Sequence, residues 1–157
     1  MFRYSSFLLP LCMFFLITMI TGGCEKELIC GESKNKGIIT KSVDFVDPCM
    51  SWIVDQDFII RSQEELDSLY REFECDSKED AGIDFSESTL LGMYTSGGGC
   101  NIQFIREVER DEENKRYVFT VKIRECGICA MLGISMNWVL VPRLPETWTV
   151  EFTYSYE

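Results

Sequence analysis

From Phe7 to Thr21 the chain reads F-L-L-P-L-C-M-F-F-L-I-T-M-I-T, an almost wholly apolar run that ends in Gly22-Gly23-Cys24. A short polar segment with one charge, Arg3, precedes it. About 15 apolar residues match a signal-peptide core and fall short of the roughly 20 that a spanning helix needs. Pro10, near the start of the run, disfavours a stable anchor helix. Small residues before Cys24 suit a peptidase pocket, and the segment resembles a lipobox, with Thr21 where that motif usually has Leu. These features read as a bacterial lipoprotein precursor. Residues 1–23 are the signal peptide, and lipid on Cys24 holds the mature chain to a membrane of the cell envelope, on the periplasmic face or the cell surface. Cys24→Ser is then expected to leave a full-length, unlipidated precursor. Whatever folds does so outside the cytoplasm, where cysteines pair.

The sequence has 157 residues and a formal charge of −11; cutting after residue 23 leaves 134 residues and, with Arg3 gone, a charge of −12. That length suits one domain. The acidic balance repels nucleic acid and anionic lipid heads, and suits a basic partner or simple solubility. There is no histidine. The commonest general base, the Ser-His and Cys-His nucleophile pairs and the commonest metal ligand are therefore missing. No catalytic residue, metal or cofactor is assigned.

Cys24 to Lys36 is polar and reads as a tether, with Glu25-Lys26-Glu27 similar to the acidic export tags of some surface lipoproteins. The domain then spans 37–157. Gly37 to Phe45 is a first candidate strand, and Ser51 to Val54 and Phe58 to Ile60 are further β-rich runs. Ser62-Gln63-Glu64-Glu65 is a capping box, followed by Leu66, Leu69, Tyr70 and Phe73 at helical spacing. That stripe predicts a helix lying on a sheet, with Leu69→Ala costing about 2–5 kcal/mol at full burial. Thr89 to Tyr94 is a strand, interrupted at Gly97-Gly98-Gly99. Cys100, Ile102 and Phe104 alternate with Asn101 and Gln103, and Tyr117, Phe119, Val121 and Ile123 with Val118, Thr120, Lys122 and Arg124, around the turn Asp111-Glu112-Glu113-Asn114, as in a hairpin with one buried face. Trp138 to Val141 is another strand, and Trp148, Val150, Phe152, Tyr154 and Tyr156 alternate through a last one. The expected fold class is α+β: one mainly antiparallel sheet with a single amphipathic helix packed on one face.

Four segments, taken in order, resemble the PrcB C-terminal domain family, named after a lipoprotein subunit of a bacterial surface protease complex. They are Ile59 to Leu66, a strand entering the capped helix; Ile83-Asp84-Phe85-Ser86; Gly92-Met93-Tyr94-Thr95-Ser96-Gly97-Gly98; and Trp138-Val139-Leu140-Val141-Pro142-Arg143. The resemblance covers about 58–152. It departs at Gly99-Cys100, in place of an aromatic step, and at Cys126 and Cys129, in place of a Pro-containing polar loop. It implies a non-catalytic accessory or binding domain.

Beyond Cys12 in the leader and Cys24, six cysteines remain: Cys30, Cys49, Cys75, Cys100, Cys126 and Cys129. An even number in an exported chain predicts a disulfide framework. If Ile102 faces Ile123 and Phe104 faces Val121, Cys100 falls opposite Glu125, within reach of Cys126 or Cys129. Strict alternation puts Cys126 on the other face. Cys30 is left near the tether as a spare. The competing pairing joins Cys126 to Cys129, with Cys100 going to Cys75 or Cys49. In that case Cys126-Gly127-Ile128-Cys129 reads as a redox pair, though no thioredoxin-like βαβ unit surrounds it. Gly97, Gly98 and Gly99 form a candidate binding loop for a phosphate or a carboxylate, or a plain turn between strands. The runs Asp76, Glu79, Asp80 and Asp111, Glu112, Glu113 lack calcium-loop spacing and read as solvated. Tyr154 and Tyr156 offer a binding edge or a core stripe. The leading functional expectation is a lipid-anchored binding or accessory protein with a protein partner. The alternatives are a thiol-disulfide enzyme using Cys126 and Cys129, and a protease inhibitor presenting the Gly97–Cys100 loop.

Overall fold

Thr89-Leu90-Leu91-Gly92-Met93 and Met136 to Val141 carry almost no polar alternation, as in strands covered on both faces. The computed structural model, which describes residues 29–45, 48–51, 55–75 and 82–157, puts them at the centre of three layers. Among these residues eight strands form: β1 Lys34–Gly37, β2 Lys41–Ser42, β3 Asp57–Ile60, β4 Ser88–Gly98, β5 Asn101–Asp111, β6 Arg116–Cys126, β7 Leu132–Pro142 and β8 Thr149–Tyr156. A 3₁₀ turn covers Pro48–Ser51, and helix α1 runs Gln63–Glu72. One sheet has the order β1-β5-β6-β8, the other β2-β7-β4-β3. Leu91, Met93, Val139 and Val141 of the second sheet meet Val108, Phe119, Val121 and Ile123 of the first. On its far face the second sheet packs Leu90, Trp138 and Leu140 against Leu66, Leu69 and Tyr70 of α1.

The architecture of the described residues is thus α+β, with one short helix on a mainly antiparallel framework, but in two leaves where one sheet was expected. Alternation in β5 and β6 shows only that one face is buried, not which partner covers it. The pairs β2/β7, β3/β4, β4/β7 and β5/β6 are antiparallel; β1/β5 and β6/β8 are parallel.

The helix forms as its sequence demands. Ser62 Oγ accepts from Glu65 N at 3.1 Å. The Glu65 carboxylate reaches back to Arg61 N at 2.5 Å, one residue before the cap. Two orphan amides are thereby satisfied at the helix entrance. Leu66, Leu69 and Tyr70 are buried, and Phe73 packs on the same cluster, edge-on to Phe58. Leu69 is 6% exposed, so Leu69→Ala should cost about 2–5 kcal/mol in a denaturant titration.

Several expected boundaries move. Residues 34–36, expected in the tether, belong to β1, which pairs Lys34 with Ile105 in parallel. The expected strand 37–45 breaks at Gly37, whose φ of +68° turns the chain. A Cβ there would sit 2.1 Å from Val108 O. Ile38 N then donates to Val108 O and Thr40 N to Leu140 O, so this link passes from the first sheet to the second. Ser51 ends a 3₁₀ turn; 52–54 lie outside the described residues. β4 continues through Gly97 and Gly98, paired with Gly133 and Leu132. The hairpin register is two residues from expectation: Phe104 faces Ile123 and Ile102 faces Glu125. Its cause is Lys115, at φ +52°, which extends the loop to Glu112–Lys115. A lysine in the left-handed region leaves no sequence signal, unlike Gly or Asn.

The four family-like segments are neighbours in and around the second sheet. Ile59 and Ile60 pair with Leu91 and Leu90, and Gly92 lies opposite Trp138. The Arg143 guanidinium donates to the carbonyls of Phe85 and Ser86 at 3.4 and 3.1 Å.

Candidate functional site

β8 and β3 end the two sheet orders on the same side, and there the sandwich stays open. Between them lies a groove of about 340 Å³ lined by Asp55, Gln56, Asp57, Met93 to Ser96, Phe152, Tyr154 and Tyr156. The alternation of β8 divides at its middle. Val150 and Phe152 pack on the core between the sheets. Tyr154 and Tyr156, on the same face, run past it and stay 60% and 57% exposed. Their rings stand perpendicular with centroids 6.0 Å apart. Tyr156 Oη donates to Ser96 O at 3.1 Å, which holds that ring across the seam. Asp57 forms the acidic side of the groove. Burial pushes its carboxyl above the ordinary range, and the amide of Tyr94 pulls it back.

Among the described residues β8 pairs only with β6, so one backbone edge of T-V-E-F-T-Y-S-Y is without a strand partner there. It carries no Pro and no Lys, and Glu151 is its one charge. Edge strands are commonly blunted by such residues; this one is not.

Among the described residues the cysteines form three bridges, Cys30–Cys126, Cys49–Cys75 and Cys100–Cys129. Cys100 is therefore joined to the 126–129 segment, through Cys129. Cys126 faces the other side of β6, as alternation requires, and takes Cys30, which is not spare. Cys126 and Cys129 thus sit in different bridges and do not form a redox pair with each other. Cys49–Cys75 ties the 3₁₀ turn to the end of α1.

The three glycines are engaged internally. Gly98 N donates to Glu125 Oε1 at 2.6 Å and Gly99 N to Met131 O at 3.0 Å. A Cβ on Gly97 would lie 2.9 Å from Ile123, and one on Gly99, at φ +122°, 2.7 Å from Cys126 O. Their smallness serves close approach of β4 to its neighbours, and the amides of Gly98 and Gly99 are not presented to a ligand. Asp111 is bound by Asn114 and Arg116, which lower its carboxyl. Asp76, Glu79, Asp80 and Cys24 lie outside the described residues.

One polar feature was missed. Arg106 occupies an inward position of β5, opposite Val121, and donates Nε to Asn137 Oδ1 at 2.9 Å. Asn137 is fully buried and donates to Met93 O and Thr95 Oγ1. Burial lowers the Arg106 guanidinium, with Asp44 opposing. The available signal was an arginine in step with Ile102, Phe104 and Val108. The network ties the two sheets together with its hydrogen bonds satisfied, a structural arrangement.

In comparisons with known proteins, no family model, no curated protein and no solved structure matches the chain.

Proposed function

We propose that this chain is a lipid-anchored, non-catalytic protein of the bacterial cell envelope whose domain engages a protein partner at the seam between β3 and β8. The observation that carries this reading is the groove itself: two half-exposed tyrosines, an acidic wall and an unblunted edge strand, all on one side of the sandwich. Extended peptides bind such edges by adding a strand, with main-chain hydrogen bonds for affinity and side-chain pockets for specificity. Tyr154 and Tyr156 are suited to anchor an interface, since each offers an apolar body and a polar tip. Asp55 and Asp57 favour a basic side chain on the partner. The resemblance to the PrcB C-terminal domain supports the accessory role, and Gly22-Gly23-Cys24 supports the anchor. The thiol-disulfide alternative has no matching geometry, because Cys126 and Cys129 hold different partners.

Two measurements test this. A fatty-acid label should enter the wild-type chain and not Cys24→Ser. A photo-crosslinking amino acid at Tyr154 in intact cells should give a discrete adduct, absent when the same group replaces Glu109 on the outer face of β5. No adduct at 154, or identical products from both positions, would remove the seam from consideration.

A further inference from the structure

Ile128, Met131, Leu132 and Ile134 project from the end of the domain where β6 hands over to β7, at 87, 65, 75 and 40% exposure. No charged residue lies between Glu125 and Arg143. Scattered apolar side chains on a surface need no explanation, but a run of them does. This run is also held stiffly. Cys129 is bridged to Cys100, Gly99 N donates to Met131 O, and Cys100 N donates to Cys126 O at 2.8 Å. Gly127 turns at φ +77°, where a Cβ would lie 2.6 Å from Cys100 Sγ. The exposure is therefore fixed by covalent and backbone constraints.

The Cys30–Cys126 bridge says what lies against this end. It ties residue 30 to the residue immediately before the loop. Ile29, itself 77% exposed, emerges there. Cys24 is six residues upstream of Cys30, a distance of at most about 22 Å even fully extended. The 11-residue strands β4 to β7 run roughly 36 Å. A lipid on Cys24 is thus restricted to the neighbourhood of the loop end. The hairpin loop Glu112–Lys115, at the opposite end of the same strands, is out of its reach.

We infer that the stapled segment Gly127–Ile134 is a second membrane contact, seating Ile128, Met131 and Leu132 in the headgroup–acyl boundary of the bilayer that holds the anchor. This rests on the lipid-anchor reading above and adds to it a fixed orientation. An acyl anchor alone leaves a domain free to swing; a second contact on the same end stops the swing. The uncharged loop complements an acidic body that anionic headgroups repel. Among the described residues no helix is long and apolar enough to cross a bilayer.

The test uses the mature protein, purified from cells and reconstituted into phosphatidylcholine vesicles carrying acyl-chain bromines. Tryptophan is introduced as Met131→Trp or, as a control, Glu109→Trp, and quenching is read relative to the parent protein. Both sites are exposed, so the fold is not at stake. Quenching about threefold stronger at 131 than at 109 is expected. Adding Ile128→Ser and Leu132→Ser to the Met131→Trp protein should bring it to the control level. Mass spectrometry of the same preparation reads the fatty acid on Cys24. Equal quenching at both positions in acylated protein overturns the loop assignment and leaves the anchor standing. A chain without fatty acid overturns the anchor, and the loop assignment falls with it. A soluble dimer that Leu132→Ser dissociates would give the loop to a second copy of the chain, and likewise overturns the proposal.

Discussion

Replacing Cys30 and Cys126 together by alanine is expected to lower the free energy of unfolding by about 4–5 kcal/mol, measured by denaturant titration against the oxidised wild type. The bridge spans 96 residues, the widest of the three. In the chain-entropy treatment a cross-link of that span removes about 4.7 kcal/mol of freedom from the unfolded state. The folded side adds to this. Both cysteines are buried, at 6% and 2% exposure, and they fasten the segment ahead of β1 over the outer face of the first sheet. Without the bridge that segment keeps the four-residue parallel pairing with β5 and a contact from Gln103 Nε2 to Glu32 O. Typical domains have about 5–15 kcal/mol in total, so the loss is a large fraction of what holds this one together. The same change at Cys49 and Cys75, which are 26 residues apart, should cost about 3.5 kcal/mol. A loss below about 1 kcal/mol for the Cys30/Cys126 pair would mean that the bridge does not constrain the unfolded chain.

Gly92→Ala is expected to cost roughly 4 kcal/mol, an unusual figure for one methyl group. Gly92 lies opposite Trp138 in the β4/β7 ladder, and a Cβ at 92 would sit 2.3 Å from the indole ring. The indole has nowhere to go. Its Nε1 donates to Met50 O at 3.1 Å, and its ring lies 5.4 Å from Phe45 and 5.6 Å from Phe58. Moving it breaks a buried hydrogen bond and opens the cluster beneath α1. The check is a double-mutant cycle. Trp138→Leu alone should be costly, yet adding Gly92→Ala to it should cost far less than Gly92→Ala does in the wild type. Additive losses would show that the strain lies elsewhere.

Local rules made part of this fold legible. The Ser62–Glu65 cap and the Leu66, Leu69, Tyr70 stripe depend on spacings within one helix, and they appear as read. The sheet face of Cys126 followed from a period of two, which separated it from the Cys100 contact. What stayed hidden was set by distant partners. Thr89 to Met93 and Trp138 to Val141 looked like ordinary strands, although their lack of alternation reflects cover on both faces. Cys30 looked idle because its partner is on the far side of the domain in sequence. The seam is half visible in the sequence: the Tyr154–Tyr156 stripe continues the alternation of the last strand, but Asp57 joins it only because β3 and β8 end neighbouring sheets. Lys115 and Arg106 went unread for a simpler reason, since each occupies a position its residue type rarely takes.

The parallel pairing of β1 with β5 and of β8 with β6 has a kinetic meaning. The earliest and the latest of the described strands both dock on the same central hairpin, so neither edge of that sheet can form from its sequence neighbours. Loop closure must be achieved before most of the sheet contributes any stability, which makes folding slow for a chain of this length. During that interval the edges of β5 and β6 stand open with β-forming side chains on display. A newly made copy is thus most exposed to wrongful strand pairing while β1 and β8 are still arriving.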